Sequence, residues 1–534
     1  MKKGFTLIEL LAVIVILAII SIIAAPVVLE IINDSKKSSQ IESIKQYAKI
    51  LEKAASTYLI RYPNNNEITL DKLEQEKLIN YDGEKIICKK NQITKKGKIY
   101  LADCTVAGIK IDYEYGKFEL PEPDLSEGLT PVVYNGNNWI VTSKDDSNWY
   151  NYDEQKWANA VVLGTDIKKN IGDTVKVDGT EAKMMLVWIP RYEYKIEGQY
   201  GTHTDGTPGT AELPGEIKVN FIEKHTLTPS EGFIIHPAFK FGNQELNGIW
   251  VGKFKLSHNT LSMSQNNNSL GCNTEFCSNS NGLRVLPNNK FLSYNNVSNY
   301  WYAIKSIENT NIFNVNDMNT HMIKNSEWGV VAYLSQSKYG KYGNSDYIGA
   351  NKEIYQNMNG NGVTGNSNGT PSGGAKINPQ CQYNNLINNC GVGASTTGNI
   401  YGIYDMSGGS QEIVMATFGT EEEIYIGYNQ WNQSGFNGKY GDGGYNNQGS
   451  TLPDSKYYDV YLTNNIRTAC NGECYGQALS ETENWYGNRT GLGSKTAPWL
   501  IRGGTDYWDT SGIYHVDYYH GDVGFSTRVV FSLK

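Results

Sequence analysis

Between Phe5 and Leu29 the chain carries one charged side chain, Glu9, in an otherwise uncharged run. Helical residues rise about 1.5 Å each, so this stretch is long enough to cross the roughly 30 Å hydrocarbon core of a bilayer. Lys2 and Lys3 stand in front of it, and the excess of positive charge fixes the N-terminus on the cytoplasmic side, delivering everything after Leu29 outside. Glu9 separates the readings of such a segment. A cleavable secretory signal requires a charge-free core and a small-x-small site, whereas here Ala24-Ala25 run straight into Pro26. A bare anchor leaves a carboxylate without a partner, which costs free energy and marks a functional position.

The helical pattern continues past the apolar run. Ile41, Ile44, Ala48, Leu51, Ala55 and Tyr58 recur at spacings of three and four with lysines and glutamates between them, the signature of an amphipathic helix. One rod over residues 5–62 is therefore expected, ended by Pro63-Asn64-Asn65-Asn66. A short helix over Leu70–Leu78 and strands at Ile86–Cys88, Lys98–Cys104 and Ile109–Phe118 follow. Residues 63–120 are too few to bury much core alone. Pro121–Gly128 reads as a linker.

The string Lys3-Gly4-Phe5-Thr6-Leu7-Ile8-Glu9 resembles the prepilin signature of type IV pilins and pseudopilins. The resemblance implies a leader of residues 1–4 removed after Gly4 by a membrane prepilin peptidase, with Phe5 as the methylated new N-terminus. It implies that Glu9 pairs with the terminal ammonium of a neighbouring subunit as helices stack into a filament. Pro26 falls where members of that family often bend the helix. The implied partners are other pilin subunits, the peptidase and the membrane through residues 5–29. The implied location is the cell membrane as precursor and then the cell surface or pilus.

Composition narrows the remainder. With 534 residues the chain holds two or three domains. A net charge of -8 and no dominant basic patch exclude nucleic acid as the expected partner. Eight cysteines fall in four local pairs, Cys88/Cys104, Cys272/Cys277, Cys381/Cys390 and Cys470/Cys474. Outside the cell an even count reads as disulfides. Eight cysteines allow on the order of a hundred connectivities, so nearest-neighbour pairing is one choice among them. Cys-x2-Cys and His-x3-His pairs are absent, so no zinc or other metal and no cofactor is expected.

Residues 129–182 hold short strand candidates, Trp139–Thr142 and Trp157–Leu163, read as a small β subdomain or a lead-in arm. From 183 to 534 several phrases resemble the formylglycine-generating-enzyme type of C-type-lectin-like fold. They are Met185-Leu186-Val187-Trp188-Ile189-Pro190, Ser326-Glu327-Trp328, Tyr404-Asp405-Met406-Ser407-Gly408-Gly409, Arg502-Gly503-Gly504, and Gly524-Phe525 with Arg528. Gly409 stands where that family usually has Asn, and Ser526-Thr527 split the last phrase. Trp328, Tyr404 and Met406 read as core, and the paired glycines as tight turns. The resemblance implies an α+β chain: a long transmembrane pilin helix, a small β-meander head and a large loop-rich lectin-like domain.

Oxidising members of that family use cysteines after the Arg-Gly-Gly phrase, and this sequence has none after Cys474. No Gly-x-Ser-x-Gly elbow or His-Glu-x-x-His helix occurs, so no enzyme is expected. The segment after Arg502 carries Asp506, Tyr507, Trp508, Tyr514, His515, Asp517, Tyr518, Tyr519 and His520. Alternate positions mix apolar and polar, so it reads as an exposed ligand-binding face for an extracellular protein or glycan. The bland alternative is a twisted strand with packed tyrosines. Resemblance to variable proteins of diversity-generating retroelements adds the expectation that this face is hypervariable. The sequence-based reading is a minor or tip pilin-like subunit displaying a non-catalytic binding domain in adhesion or receptor recognition. A membrane-tethered enzyme of the formylglycine-generating type and a pseudopilin that primes a secretion or DNA-uptake machine stand as alternatives.

Overall fold

In the computed structural model of the chain one helix, α1 (Leu7–Arg61), runs through Pro26 without a break. Described are residues 7–64, 68–260, 280–293, 297–310, 313–347, 351–357, 362–371, 381–420, 422, 424, 439–440, 445–446, 452–462, 474–491, 493–494, 497–504, 511–519 and 525–534. Most side chains of residues 8–31 lie outside that set, as do Gly4 at the end of the expected leader and Phe5, the expected new N-terminus. Among the described residues no helix is long and apolar enough to cross a membrane. The span expected over residues 5–29 falls on the part of α1 whose side chains are largely not described. The chain divides into two units, Met1–Leu120 and Pro121–Lys534.

In the first unit, α1 ends where Pro63 forces the preceding residue out of helical geometry. The anticipated stripe is its buried face: Ile44, Ala48, Leu51, Ala55 and Tyr58 are buried, and Ile41 packs at their margin. Their partners are Ile99, Leu101 and Val106 on a three-stranded antiparallel meander. Its strands are β1 (Ile86–Ile93), β2 (Ile99–Val106) and β3 (Ile109–Ile111). The register sets Cys88 opposite Cys104, and the two form a disulfide with Cα atoms 3.9 Å apart. The short helix α2 (Leu70–Gln75) starts at Thr69, whose hydroxyl accepts from the Lys72 amide at 3.3 Å. β3 stops well short of Phe118. Gly116 brings its backbone against the Ile99 carbonyl, where a Cβ would lie 2.2 Å away, and Tyr115 bridges to Leu101 by backbone hydrogen bonds. The chain past Ile111 thus turns back onto β2 and does not prolong the strand.

The second unit is built on an eight-stranded antiparallel sheet. From one edge it contains the strands Met318–Met322, Val529–Leu533 and Gly248–Gly252. Next come β8 (Ala182–Pro190), β6 (Asn159–Leu163), β4 (Leu129–Tyr134), β5 (Trp139–Val141) and β7 (Thr174–Val175). Residues 129–182 are therefore neither a subdomain nor an arm: they supply four strands of the main sheet. The expected boundary at 183 falls inside β8. The Met-Leu-Val-Trp-Ile run of β8 is buried at every position because both faces of this strand are covered.

The expected linker is packed as well. Pro123 is buried, and the Asp124 carbonyl accepts the indole N–H of buried Trp250 at 2.7 Å. A buried indole needs an acceptor, and this one comes from the linker backbone. Tyrosines follow the same rule. Tyr152 donates to the Trp188 carbonyl at 2.7 Å and Tyr192 to the Val330 carbonyl at 2.6 Å.

Buried charges tie distant phrases together. Arg528 meets Glu412 at 2.7 Å and donates to the carbonyls of Gly252 at 2.7 Å and Tyr404 at 2.8 Å. Lys255 approaches the same Glu412 carboxylate at 3.3 Å. Arg502 donates to the Asn325 amide oxygen at 2.7 Å and to the Gln477 and Ala478 carbonyls. Trp328, Tyr404 and Met406 are fully buried, and Gly408, Gly409, Gly503 and Gly504 all have positive φ, as tight turns require. A second disulfide joins Cys381 to Cys390. Cys474 is also disulfide-bonded; Cys272, Cys277 and Cys470 lie outside the described residues.

Candidate functional site

The processing positions at the N-terminus are only partly placed: Glu9 lies on α1, with its side chain outside the description. Within the anticipated ligand face, Asp506, Tyr507, Trp508 and His520 also lie outside it. The rest of that face is mostly closed. Tyr514 and His515 are fully buried, and Asp517 is nearly so. Tyr514 packs against Trp485 with ring centroids 5.4 Å apart and its hydroxyl donates to the Ala332 carbonyl at 3.3 Å. Burial pushes its phenol well above the ordinary range. Asp517 pairs with Arg489 at 3.0 Å. Tyr518 is half-buried, and Tyr519 is 37% exposed with its ring against Phe525.

The reason is local. Among the described residues of the segment only Val516–Tyr519 is a strand, while Gly512–Tyr514 forms a turn, so alternation cannot be counted through Ile513. The turn is held from below. Trp328 donates its indole N–H to the Ile513 carbonyl at 2.8 Å, and the Ile513 amide donates to the Glu353 carboxyl at 3.1 Å. Burial pushes that carboxyl up to about 8.

A different region is open. At the Met318–Met322 edge of the sheet lies a cleft of about 1120 Å³. One wall is the hairpin Lys240–Phe241/Gln244–Glu245, turned at Gly242 with φ +62°. The opposite wall is the 3-10 turn Ser455–Tyr457, whose N-cap Asp454 accepts from the Lys456 amide at 3.1 Å. The helix Asn325–Ser335 starts at the back. Two amides at its start are already engaged: Ser326 donates to Asp459 at 2.7 Å, and the N-cap Lys324 to the Glu327 carboxylate at 2.9 Å.

Five lysines line this cleft, Lys240, Lys305, Lys324, Lys456 and Lys534, against the three carboxylates Glu308, Asp454 and Asp459. Two of the carboxylates are committed to the protein. Glu308 pairs with Lys305 at 3.0 Å and accepts the Thr320 amide at 3.0 Å. Asp459 binds the helix start, and burial raises its carboxyl above the ordinary range. The floor is aromatic. The Tyr457 hydroxyl is gripped by Lys305 at 2.9 Å and Asn319 at 2.8 Å, and its ring meets Phe241 edge-on at 5.3 Å. The Lys456 ammonium lies 5.1 Å from the Tyr457 ring centre and 5.7 Å from that of Phe241. Among the described residues, Lys240 and Lys456 make no ion pair. Sequence reasoning missed this site because its lysines come from five separated segments with no spacing to read. The only local hint is Lys456-Tyr457-Tyr458.

Among the described residues no group of three or more His, Cys, Asp or Glu side chains is placed to hold a metal ion. Residues 1–25 match the family described as a prokaryotic N-terminal methylation motif. No curated protein matches the chain.

Proposed function

We infer that the chain is a type IV pilin-like surface subunit or pseudopilin, with subunits of its kind and a prepilin peptidase as partners, a reading the N-terminal motif supports. We propose that the chain is a minor or tip subunit whose second unit is a non-catalytic ligand-binding domain of the C-type-lectin-like, formylglycine-generating-enzyme type. The observation that carries this reading is the pairing of that motif with a separate unit from Pro121 to Lys534 that bears an open cleft. The fold assignment is supported by the meeting of the sequence phrases: Arg528 reaches Tyr404, and Trp328 reaches the turn after Arg502-Gly503-Gly504. The stretch from Thr505 to Thr527 adds a second binding surface. Its accessible part among the described residues is Tyr518, Tyr519 and Phe525.

Expression beside a prepilin peptidase tests the assembly half. The expected product begins at N-methylated Phe5 by mass spectrometry, with Gly4→Val blocking cleavage; an intact leader in the wild type removes the pilin reading. Deleting residues 121–534 tests the binding half. Cells that still assemble filaments and lose surface attachment support it, and attachment retained without the second unit overturns it. Comparing the gene across sibling isolates addresses the variable-protein reading. It requires differences concentrated between Thr505 and Thr527, and an even spread removes it.

A further inference from the structure

The cleft at the Met318–Met322 edge has a composition that selects its occupant. Two ammonium groups without ion-pair partners, on Lys240 and Lys456, stand at walls formed by different segments. The same walls carry the side-chain amides of Asn243 and Gln244 and half-buried Tyr458. Carboxamides exchange hydrogen bonds with hydroxyls in both directions, an aromatic ring offers an apolar platform, and lysine ammoniums take isolated negative charge. A uniformly charged polyphosphate fits poorly, because Asp454 remains exposed at the same wall and the chain as a whole is at -8. Charges spaced by neutral, hydroxyl-rich rings fit both the lysines and the amides. A cleft of this volume has room for a short oligosaccharide.

We propose that this cleft binds an anionic saccharide, with Lys240 and Lys456 receiving its carboxylate or phosphate groups and Asn243, Gln244 and Tyr458 its sugar rings. The proposal rests on the reading of the second unit as a ligand-binding domain.

The test is titration calorimetry on the full chain in detergent, with pentagalacturonate, a phosphate-bearing mannose oligomer, uncharged maltopentaose, inorganic phosphate and a single-stranded decanucleotide as probes. One of the two anionic oligosaccharides is expected to bind, and which one does so distinguishes the carboxylate source from the phosphate source. Binding should weaken about tenfold between about 20 mM and about 500 mM NaCl. The double variant Lys240→Glu/Lys456→Glu should weaken it by about tenfold or more. Lys144→Glu, exposed beyond β5 toward the other edge of the sheet, should leave it unchanged. The proposal is overturned if neither anionic oligosaccharide binds, if maltopentaose binds equally, if inorganic phosphate alone matches them, if a single-stranded decanucleotide binds more tightly, or if the double variant binds as the wild type does. Far-UV circular dichroism and the urea midpoint of the double variant separate loss of binding from loss of folding. A negative result leaves leader cleavage at Gly4 and the attachment assay on the 121–534 deletion as independent readouts of the pilin reading.

Discussion

The head of the first unit and the sheet of the second are both helix-and-strand structures, yet they are held together by different kinds of contact. In the head, α1 lays a single apolar stripe on a three-stranded meander whose strands are neighbours in sequence, and one disulfide joins facing residues. In the second unit the central strand β8 pairs with Gly248–Gly252, which in turn pairs with Val529–Leu533, so opposite ends of the segment share one sheet. Its core is fastened by charges and capped aromatic groups in addition to apolar contact. Arg528, Lys255 and Glu412 meet with no exposure at all. Local periodicity is enough to build the first unit, while the second depends on partners that only closure of the sheet brings together.

That difference can be broken from either side. The largest effect is expected from Arg528→Ala, which strips Glu412 of a bidentate partner in a dry site and should cost about 3–5 kcal/mol. Urea denaturation followed by tryptophan fluorescence reports on it, because Trp139, Trp188, Trp250 and Trp328 all lie in the second unit. A change below about 1 kcal/mol would show that the ionic cluster does not fasten this unit.

Next in size is Cys88→Ser with Cys104→Ser. Their separation of 16 residues gives an expected loss of about 3 kcal/mol from the chain-entropy relation. The loss should appear only in the transition of the first unit, read by hydrogen exchange over β1 and β2. An equal shift in the second unit would mean that the two do not unfold separately.

The third test is pH. The Glu353 carboxyl is buried and pushed up to about 8 from an ordinary 4.5, so the folded protein holds its proton where the unfolded chain has released it. The associated stability is fully present below about pH 4.5 and is lost as pH rises through about 8. Wild type should therefore lose midpoint between pH 5 and 9 relative to Glu353→Gln, which cannot ionise. Parallel pH profiles for the two would place the carboxyl in a wetter site than the structure gives it.

The smallest effect sharpens the comparison. Neither ammonium has an ion-pair partner to lose, so Lys240→Ala should change stability by less than about 0.5 kcal/mol and Lys456→Ala, which gives up its contacts with the Tyr457 and Phe241 rings, by no more than about 1 kcal/mol. A larger loss in the urea midpoint would assign these lysines to holding the cleft walls instead of facing a ligand.

The sequence by itself determined the N-terminal rod, its buried stripe and the meander, because periods of two and 3.6 are written along the chain; the Cys88–Cys104 pairing was one connectivity among many until the register set the two residues opposite each other. It also placed Trp328, Tyr404 and Met406 in the core and the paired glycines in turns. It misjudged the segment around Tyr514 because tyrosine is read as polar until its hydroxyl finds a carbonyl. Here the acceptor, Ala332, belongs to a helix remote in sequence. It separated residues 129–182 from the sheet for a related reason: strand pairing depends on backbone groups that leave no mark on residue identity. The cleft was decided by tertiary structure alone. Its charge balance depends on which carboxylates the fold engages, Glu308 by Lys305 and Asp459 by a helix N-terminus, and on which lysines the fold leaves without an ion pair.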